Sequence, residues 1–438
     1  MDFQAQTTSA EILRFVAEND VKFIRLIFCD LFGVQKNISI MPDELEDAFG
    51  EGISFDASAI LGFRGVADSD LFLKPEPSTL TLLPWRPQQG RVARFYCSIL
   101  HPDGRAFECD SRELLRQAIE RCRAAGYECK VGAECEFYLF KTDENGDATT
   151  IPFDNGGYFD MSPIDRGENV RREICLALED MGLHPESSHH EQGPGQNEID
   201  FKFSGALDSA DDFMTLKTAV KAIAARNGLF ASFMPKPLSG KSGSGLHINV
   251  SLHKNGQNLF AEEISPERES FIAGVLLRAR EMSLFLNSVP NSYERLGELE
   301  APGFVSWSER NRSQLIRIPA ASGLRSRMEL RSPDPSCNIY LAYALIISAG
   351  LEGVQAGLKL PEPSDFDSYS DDSVSSRLTP LPQSLGEAAR LAADSEFVRR
   401  VLGDGLVDKF VSQKLSEARA YDEAGDKTRI NSLYFPML

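Results

Sequence analysis

The chain has 438 residues, of which 42% are hydrophobic, so it can form ordinary globular cores and its length favours two domains. Its 65 acidic residues outnumber 46 Lys and Arg residues, and the net charge of −19 opposes binding to nucleic acids and anionic membranes. We find neither an apolar run of membrane-spanning length nor a signal-peptide pattern, and we therefore expect a cytoplasmic protein.

The first hundred residues predict a small mixed domain. Apolar periodicity predicts an amphipathic helix over residues 9–19, and alternation predicts a strand from Val21 to Asp30. We expect this N-terminal domain to span residues 1–105. Its further predicted elements are a turn at 32–34 into a second strand, a helix at 45–49, and strands at 79–83 and 92–99.

A larger domain is predicted over residues 106–438. Ser111 is the predicted N-cap of an amphipathic helix that runs to Ala125. Residues 361–382 are rich in Pro, Ser and Asp and predict a surface segment. Strands with one polar face alternate with helices predicted at 168–181, 209–227, 266–286 and 336–357.

The eight cysteines are scattered along the chain, and none forms a Cys-x-x-Cys pair. Most of them stand among apolar residues, which is typical of free thiols in a reducing compartment. The sequence therefore argues against a structural zinc site and against a disulfide framework.

Two carboxylates share one face of a predicted strand near residue 135. Side chains of a strand alternate with a period of two, so Glu134 and Glu136 lie on one face and Ala133 and Cys135 on the other. By itself, this pattern also fits a half-exposed strand with two solvated acids.

Three further predicted strands carry polar side chains on one face, and each has a simple structural explanation when taken alone. A histidine beside a Gly-rich turn is usually structural, and ionic residues often line a solvated edge. Together with Glu191, however, these carboxylates and one imidazole suit Mg²⁺ or Mn²⁺ better than zinc. The polar faces hold Glu198 and Asp200; His247, Asn249 and Ser251; and Arg325, Arg327, Glu329 and Arg331.

Arginines complement the carboxylates. Anions need bidentate donors in a site that carboxylates already crowd, and arginine supplies them. Metal ions combined with an arginine cluster imply phosphoryl transfer or another polyanionic transition state. No GxxxxGK[ST] motif is present, which excludes a P-loop enzyme. The candidate arginines are Arg295, Arg312, Arg317, Arg327 and Arg331.

The order and spacing of these motifs resemble the glutamine synthetase family, over residues 55–335. The resemblance implies an α+β fold, with a small β-grasp N-terminal domain and a large catalytic domain containing a curved antiparallel sheet. It also implies assembly into rings, expected as a dodecamer, with each site shared between neighbouring subunits. The matching motifs include Gly132-Ala-Glu-Cys-Glu-Phe, His189-His-Glu, Gly195-Gln-Asn-Glu, Gly243-Ser-Gly-Leu-His and Glu329-Leu-Arg-Ser-Pro.

The resemblance further implies two divalent-metal sites and two substrate subsites. One metal ion would be held by Glu136, Glu191 and Glu198, and the other by Glu134, His247 and Glu329. ATP would contact Phe203, Asn249, Ser251, Arg317 and Arg327. The other substrates would be held by Tyr158, Gly243, Arg295, Arg317 and Arg331.

The implied reaction is ATP-dependent ligation of ammonia to the γ-carboxylate of L-glutamate. A carboxylate is a poor electrophile, so ATP first converts it to an acyl phosphate, with Arg312 and Arg327 stabilising the transferred phosphoryl group. Asp56 of a neighbouring subunit would help to bind ammonium. Glu300 would be the flap residue that removes its proton and excludes water.

The acceptor pocket departs from the family pattern in three places. Asp56-Ala-Ser-Ala lacks one hydroxyl of the usual Asp-Gly-Ser-Ser, the flap from Arg295 to Pro302 is one residue short and lacks Pro-Gly-Tyr, and Ser242 replaces an Asn. A primary amine or polyamine is therefore an alternative acceptor. A non-catalytic family member is a further alternative, but it would have degenerate metal ligands. A guanidino-kinase-like phosphotransferase is another, but it would have no use for the flap glutamate.

Two segments bear on regulation and assembly. The region around Tyr369 lacks the Asn-Leu-Tyr-Asp-Leu-Pro motif of family members that are adenylylated, so we interpret Tyr369 as an ordinary loop residue. The apolar segment 432–438 either packs on its own chain or docks on a neighbouring subunit.

Overall fold

The protein is described by a computed structural model, which covers residues 8–261, 265–364 and 377–438. A six-stranded sheet forms from the N-terminal strands, and an eleven-stranded sheet forms from the strands that follow. Helices cover both parts, which confirms the predicted α+β class. The division at residue 105 stays a prediction.

The N-terminal sheet has the strand order β2-β1-β6-β4-β3, with β5 paired to β6. β1 and β6 are parallel, while β1 and β2 are antiparallel. Helix α1 (Ser9–Glu18) begins with a capping box in which Thr8 and Glu11 exchange hydrogen bonds. The strands are β1 (Val21–Cys29), β2 (Gln35–Ile40), β3 (Ile53–Asp56), β4 (Asp70–Pro75), β5 (Thr81–Leu82) and β6 (Arg91–Leu100).

The larger sheet has the order β15-β16-β17-β13-β7-β10-β9, and its long central strand is β7 (Glu128–Thr142). β8, β11 and β12 pair with β7, and β14 pairs with β13. The strand pairs are antiparallel as predicted except at one edge, where β15 and β16 are parallel, so the sheet is mixed. The other strands are β8 (Ala148–Pro152), β9 (Pro185–His190), β10 (Gln196–Phe201), β11 (Ser204–Gly205), β12 (Leu229–Ser232), β13 (Leu246–Lys254), β14 (Gln257–Asn258), β15 (Trp307–Glu309), β16 (Ile316–Ile318) and β17 (Met328–Leu330).

Helices pack closely around the sheet. α6 and α8 approach each other at glycines, because a Cβ on Gly274 would lie 2.2 Å from a carbonyl oxygen of α8 and one on Gly353 would lie 2.1 Å from a carbonyl oxygen of α6. The helices after α1 are α2 (Leu45–Gly50), α3 (Ser111–Ala124), α4 (Glu168–Asp180), α5 (Ala206–Arg226), α6 (Pro266–Leu286), α7 (Ser292–Arg295), α8 (Ile339–Ala356), α9 (Leu385–Asp394), α10 (Glu396–Leu402), α11 (Asp404–Glu423) and α12 (Lys427–Tyr434).

Helix α8 is long and apolar enough to cross a membrane by length and composition alone. In this fold, however, 72% of that helix is buried inside the protein. Its contacts with α3, α5 and α6 make it a core helix of the larger part of the chain.

Several predicted boundaries are wrong. Asp110, not Ser111, caps α3, because its carboxylate accepts the backbone N–H groups of Arg112 and Glu113. The strand predicted over 325–331 covers only Met328–Leu330, and Arg325 lies in a preceding 3₁₀ turn with an exposed side chain. Helix α5 starts before residue 209, and α8 starts after residue 336.

Part of the segment 432–438 packs on its own subunit. Phe435 joins a small apolar cluster with Tyr138, Phe140 and Met234, and the carbonyl of Leu438 accepts the backbone N–H of Phe233 at 2.9 Å. Phe435 is therefore buried within its own chain, whereas Leu433 and Met437 are exposed and remain open to docking on a neighbouring subunit. Part of the predicted surface segment, including Tyr369, lies outside the described residues. All eight cysteines are free thiols, as predicted.

Candidate active site

A cavity of about 660 Å³ opens on one face of the larger sheet, around the centre of β7. Glu136 lies directly opposite Glu198 on β10, and Glu134 lies opposite His247 on β13. The period of two along each strand brings these side chains to the same face. Like charges placed directly opposite each other are destabilising, so Glu136 and Glu198 favour being ionised together only when cations lie nearby.

The side chains of Glu134, His247 and Glu329 form a close group, with one ligand atom of each within 4.8 Å of the others. Nδ1 of His247 lies 3.4 Å from Glu134 and 3.5 Å from Glu329. Although burial opposes ionisation, the bond from His247 and its charge lower the pKa of Glu134 to about 2. The structure thus brings together one of the two metal sets expected from the sequence.

Glu329 is fully buried at the base of this group. Its two carboxylate oxygens accept hydrogen bonds from Arg317 and Arg331. Burial raises its pKa, but the guanidinium of Arg331 and other cationic neighbours outweigh that effect, and the net shift is downward. Glu329 therefore stays ionised, and its negative charge balances the buried Arg331 and the half-buried Arg317.

The other expected metal set, Glu136, Glu191 and Glu198, lines the same cavity but does not form so compact a group. Instead, His189 lies 2.9 Å from Glu191 and 3.9 Å from Glu198. A second close group in the cavity consists of His189, Glu198 and Asp200.

The donor set fits divalent metal ions. Burial and the nearby Asp200 carboxylate raise the pKa of Glu198 well above its ordinary value, and burial also raises the pKa of Glu136. Carboxylates crowded in this way stay charged only when cations lie among them. Carboxylate oxygens with few imidazoles are the donors that Mg²⁺ and Mn²⁺ accept.

The five predicted arginines all line this cavity. Arg295 is buried, and its guanidinium donates to the carbonyls of Ser332 and Arg331, so it is held rigidly. Arg327 donates to Asn249 Oδ1 at 2.8 Å and lies 3.6 Å from Glu134. The exposed Arg312 stands at the mouth of the cavity.

A second cavity of about 390 Å³ adjoins the first, because both are lined by Glu134, Ser187, Asp200 and Arg327. Phe203 and Asn249 line it, as expected for residues near a nucleotide. Ser251 lies apart from both linings, since its buried hydroxyl bonds to His253 at 3.1 Å. The structure therefore does not bring Ser251 to the predicted nucleotide site.

The flap and the acceptor residues are arranged as follows. Glu300 lines the cavity in a left-handed conformation, with φ of 70°, and accepts a hydrogen bond from Gln192 Nε2 at 2.9 Å. Tyr158 and Gly243 also line the cavity. Asp56 instead ends strand β3 of the N-terminal sheet, where it is exposed and caps a short 3₁₀ turn. It lies outside the cavity lining of its own chain.

Two residues of the site, His189 and Gln196, were not identified from the sequence. His189 and Glu191 are two residues apart, so a period of two puts them on one side of an extended chain, and the His-His-Glu motif held the signal for His189. Gln196, whose Nε2 donates to Glu136 at 3.0 Å, gave no such signal, because its partner depends on how β10 and β7 pair.

Comparison with known protein families accounts for most of the chain. The glutamine synthetase catalytic domain matches residues 108–432, and the glutamine synthetase beta-Grasp domain matches residues 20–102. The chain belongs to the glutamine synthetase family. Its activity is therefore that of a ligase that forms glutamine with the use of ATP and a divalent metal, and an amine acceptor is not favoured.

Individual relatives agree with this assignment. The glutamine synthetase of Clostridium saccharobutylicum is 46% identical over 422 residues, covering 94% of this chain and 95% of the relative. That of Methanosarcina mazei is 45% identical over 424 residues, covering 95% of each chain. Among solved structures, GmaS in complex with ADP superposes with a TM-score of 0.87 at 30% identity, covering 96% of this chain and 98% of GmaS.

Proposed function

We propose that the two groups of ligands in the main cavity hold two ions of Mg²⁺ or Mn²⁺ during glutamine synthesis. Glu134, His247 and Glu329 would hold one, and Glu136, Glu191 and Glu198 the other. The crowding of these five buried or half-buried acids around one cavity is the observation that carries the proposal. When bound, such ions neutralise the phosphate oxygens of ATP and polarise the phosphorus under attack.

The nucleotide would lie in the second cavity, with its terminal phosphate reaching into the first. Phe203 offers a partly exposed ring there, and Asn249 is held by Arg327. Arg312 lines the first cavity and Arg327 lines both, so the two guanidinium groups can stabilise charge on the phosphoryl group as that group passes to the substrate carboxylate.

L-Glutamate would lie deeper, between the buried arginines and the loop at Gly243. Arg295 and Arg331 are both buried, and their cationic groups suit the carboxylates of an amino acid. Gly243 permits close approach of the loop, because a Cβ there would lie 2.4 Å from the carbonyl oxygen of Pro235. Attack of the γ-carboxylate oxygen on the terminal phosphorus then forms the acyl phosphate and releases ADP.

Ammonium would be bound at the mouth, near Tyr158, Glu191 and Glu300. Glu300 can take the proton, after which ammonia attacks the acyl carbon and phosphate leaves. The flap that carries Glu300 also limits the entry of water, which would otherwise hydrolyse the acyl phosphate. Asp56 would complete this pocket from a neighbouring subunit of a ring, which we propose to be part of a dodecamer in the cytoplasm.

The test is phosphate release from ATP and L-glutamate in the presence of ammonium or of a panel of primary amines. We expect turnover with ammonium, complete loss with a chelator, and recovery on addition of Mg²⁺ or Mn²⁺. Turnover with an amine but not with ammonium would contradict the proposed acceptor, and turnover that survives the chelator would contradict the proposed metal sites.

A further inference from the structure

Tyr138 continues the ligand face of strand β7 beyond Glu134 and Glu136, yet it is fully buried and holds no ligand position. Its ring stacks on Phe140, with centroids 5.7 Å apart and planes at 15°. Phe435 packs against the ring of Phe140, with centroids 5.1 Å apart. This apolar packing fixes the direction of the ring and leaves only the hydroxyl to make polar contacts.

The hydroxyl of Tyr138 lies between two loops of the active site. It donates a hydrogen bond to the carbonyl of Ser242 at 2.5 Å. On its other side lies Gly193, where an added Cβ would come within 2.0 Å of the hydroxyl oxygen.

Both loops hold parts of the proposed glutamate and metal subsites. Gln196 accepts the backbone N–H of Gly193 at 2.8 Å and donates to the carbonyl of Gly243 at 3.1 Å. Gln196 and the backbone N–H of Gly245 both donate to the same oxygen of Glu136, at 3.0 and 2.9 Å. The position of the 242–245 loop and the orientation of the Glu136 carboxylate are therefore coupled.

We propose that Tyr138 is a positioning residue that raises the affinity for L-glutamate by fixing the 242–245 loop through the Ser242 carbonyl. The inference rests on the proposed role of Gly243 at the glutamate subsite. Removal of the hydroxyl leaves the ring packing intact, because phenylalanine fills nearly the same volume, but it frees the carbonyl end of the loop. The loop then samples positions in which Gly243 is misplaced, while Gln196 still holds Glu136 through its own hydrogen bond.

The test is the Tyr138→Phe variant in the full-length enzyme, assayed at saturating ATP and ammonium. One buried hydrogen bond corresponds to a factor of about 5 in an equilibrium constant. We expect KM for L-glutamate to rise about fivefold, with kcat and KM for ATP within about twofold of wild type. Tyr343→Phe is the matched control, because it removes a hydroxyl that bonds to Ser209 on helix α5, and the Tyr343 ring is equally buried.

Three outcomes would overturn the inference: an unchanged KM for L-glutamate, an equal rise in KM for ATP, or the same rise in Tyr343→Phe. Glu136→Gln separates this failure from failure of the proposed function. If Glu136→Gln folds with a normal thermal transition but is inactive while Tyr138→Phe behaves as wild type, only the positioning role is wrong. An active Glu136→Gln enzyme would refute the proposed metal site itself.

Discussion

Replacing Glu329 by Gln tests both the charge balance and the proposed chemistry of the site. Glu329 is fully buried and accepts hydrogen bonds from Arg317 and Arg331, so the variant removes the anion from the buried Arg331 and the half-buried Arg317. Breaking a buried ion pair from one side costs about 3–5 kcal/mol. Gln retains one carbonyl oxygen that can accept from an arginine, so we expect the lower end, about 3 kcal/mol.

For a chain of 438 residues, a loss of this size lowers the unfolding temperature by only about 3 °C, so Glu329→Gln should still fold. Loss of an anionic metal ligand should weaken transition-state stabilisation by several kcal/mol, which lowers kcat/KM about 10³-fold. Calorimetry measures the first effect and phosphate release measures the second.

Glu352→Gln is the matched control. Glu352 also lies between two arginines, Arg278 and Arg400, but it is on helix α8 rather than in the sheet. We expect its activity to stay within about twofold of wild type, because loss of a partly exposed ion pair costs little. Wild-type kcat/KM in Glu329→Gln, or an equal loss of activity in Glu352→Gln, would refute the assignment of Glu329 to the metal group.

Three further predictions concern packing, pH and the flap. Gly274→Ala should lower the free energy of unfolding by about 1–3 kcal/mol, because the added methyl group meets helix α8. Gly405→Ala, whose methyl group meets open space in a helix, should not lower it. Equal losses of unfolding free energy in urea titrations of the two variants would refute the packing argument. Burial opposes ionisation of Asp154, but hydrogen bonds from His190 and backbone N–H groups lower its pKa to about 2. The ionised Asp154 therefore stabilises the folded state above about pH 4, and this stabilisation is lost as the pH falls through 2. Asp154→Asn should therefore flatten the pH dependence of stability over that range, and an unchanged slope in acid titrations would count against it. Glu300→Gln should lower kcat with ammonium about 10²–10⁴-fold and release phosphate without forming glutamine, so tight coupling of the two products would argue against its role as the base.

The sequence predicted the ligand strands well because alternation depends only on the local backbone. Glu134, Glu136 and His247 each follow from a period of two, whatever the rest of the chain does. The grouping of Glu198 and Asp200 with His189 depends instead on how β9 and β10 pair, and a single sequence contains no direct signal for that register.

Local signals failed where two residues could serve the same purpose or where a turn interrupted a pattern. Asp110 and Ser111 are both good N-caps, and only the observed hydrogen bonds distinguish them. Arg325 continued the alternation of a strand that in fact starts at Met328, because a 3₁₀ turn occupies the preceding residues. Asp56 is exposed on a separate sheet, so its proposed role depends on a second subunit.

The most direct test of the central claim is a crystal structure of the enzyme grown with Mn²⁺ and ADP, in which anomalous scattering locates the ions. We expect one ion within about 2.2 Å of oxygen or nitrogen ligands from Glu134, His247 and Glu329, and a second beside Glu136, Glu191 and Glu198. Ions bound away from these side chains, or an acidic cavity that stays free of Mn²⁺ while ADP is bound, would contradict the account.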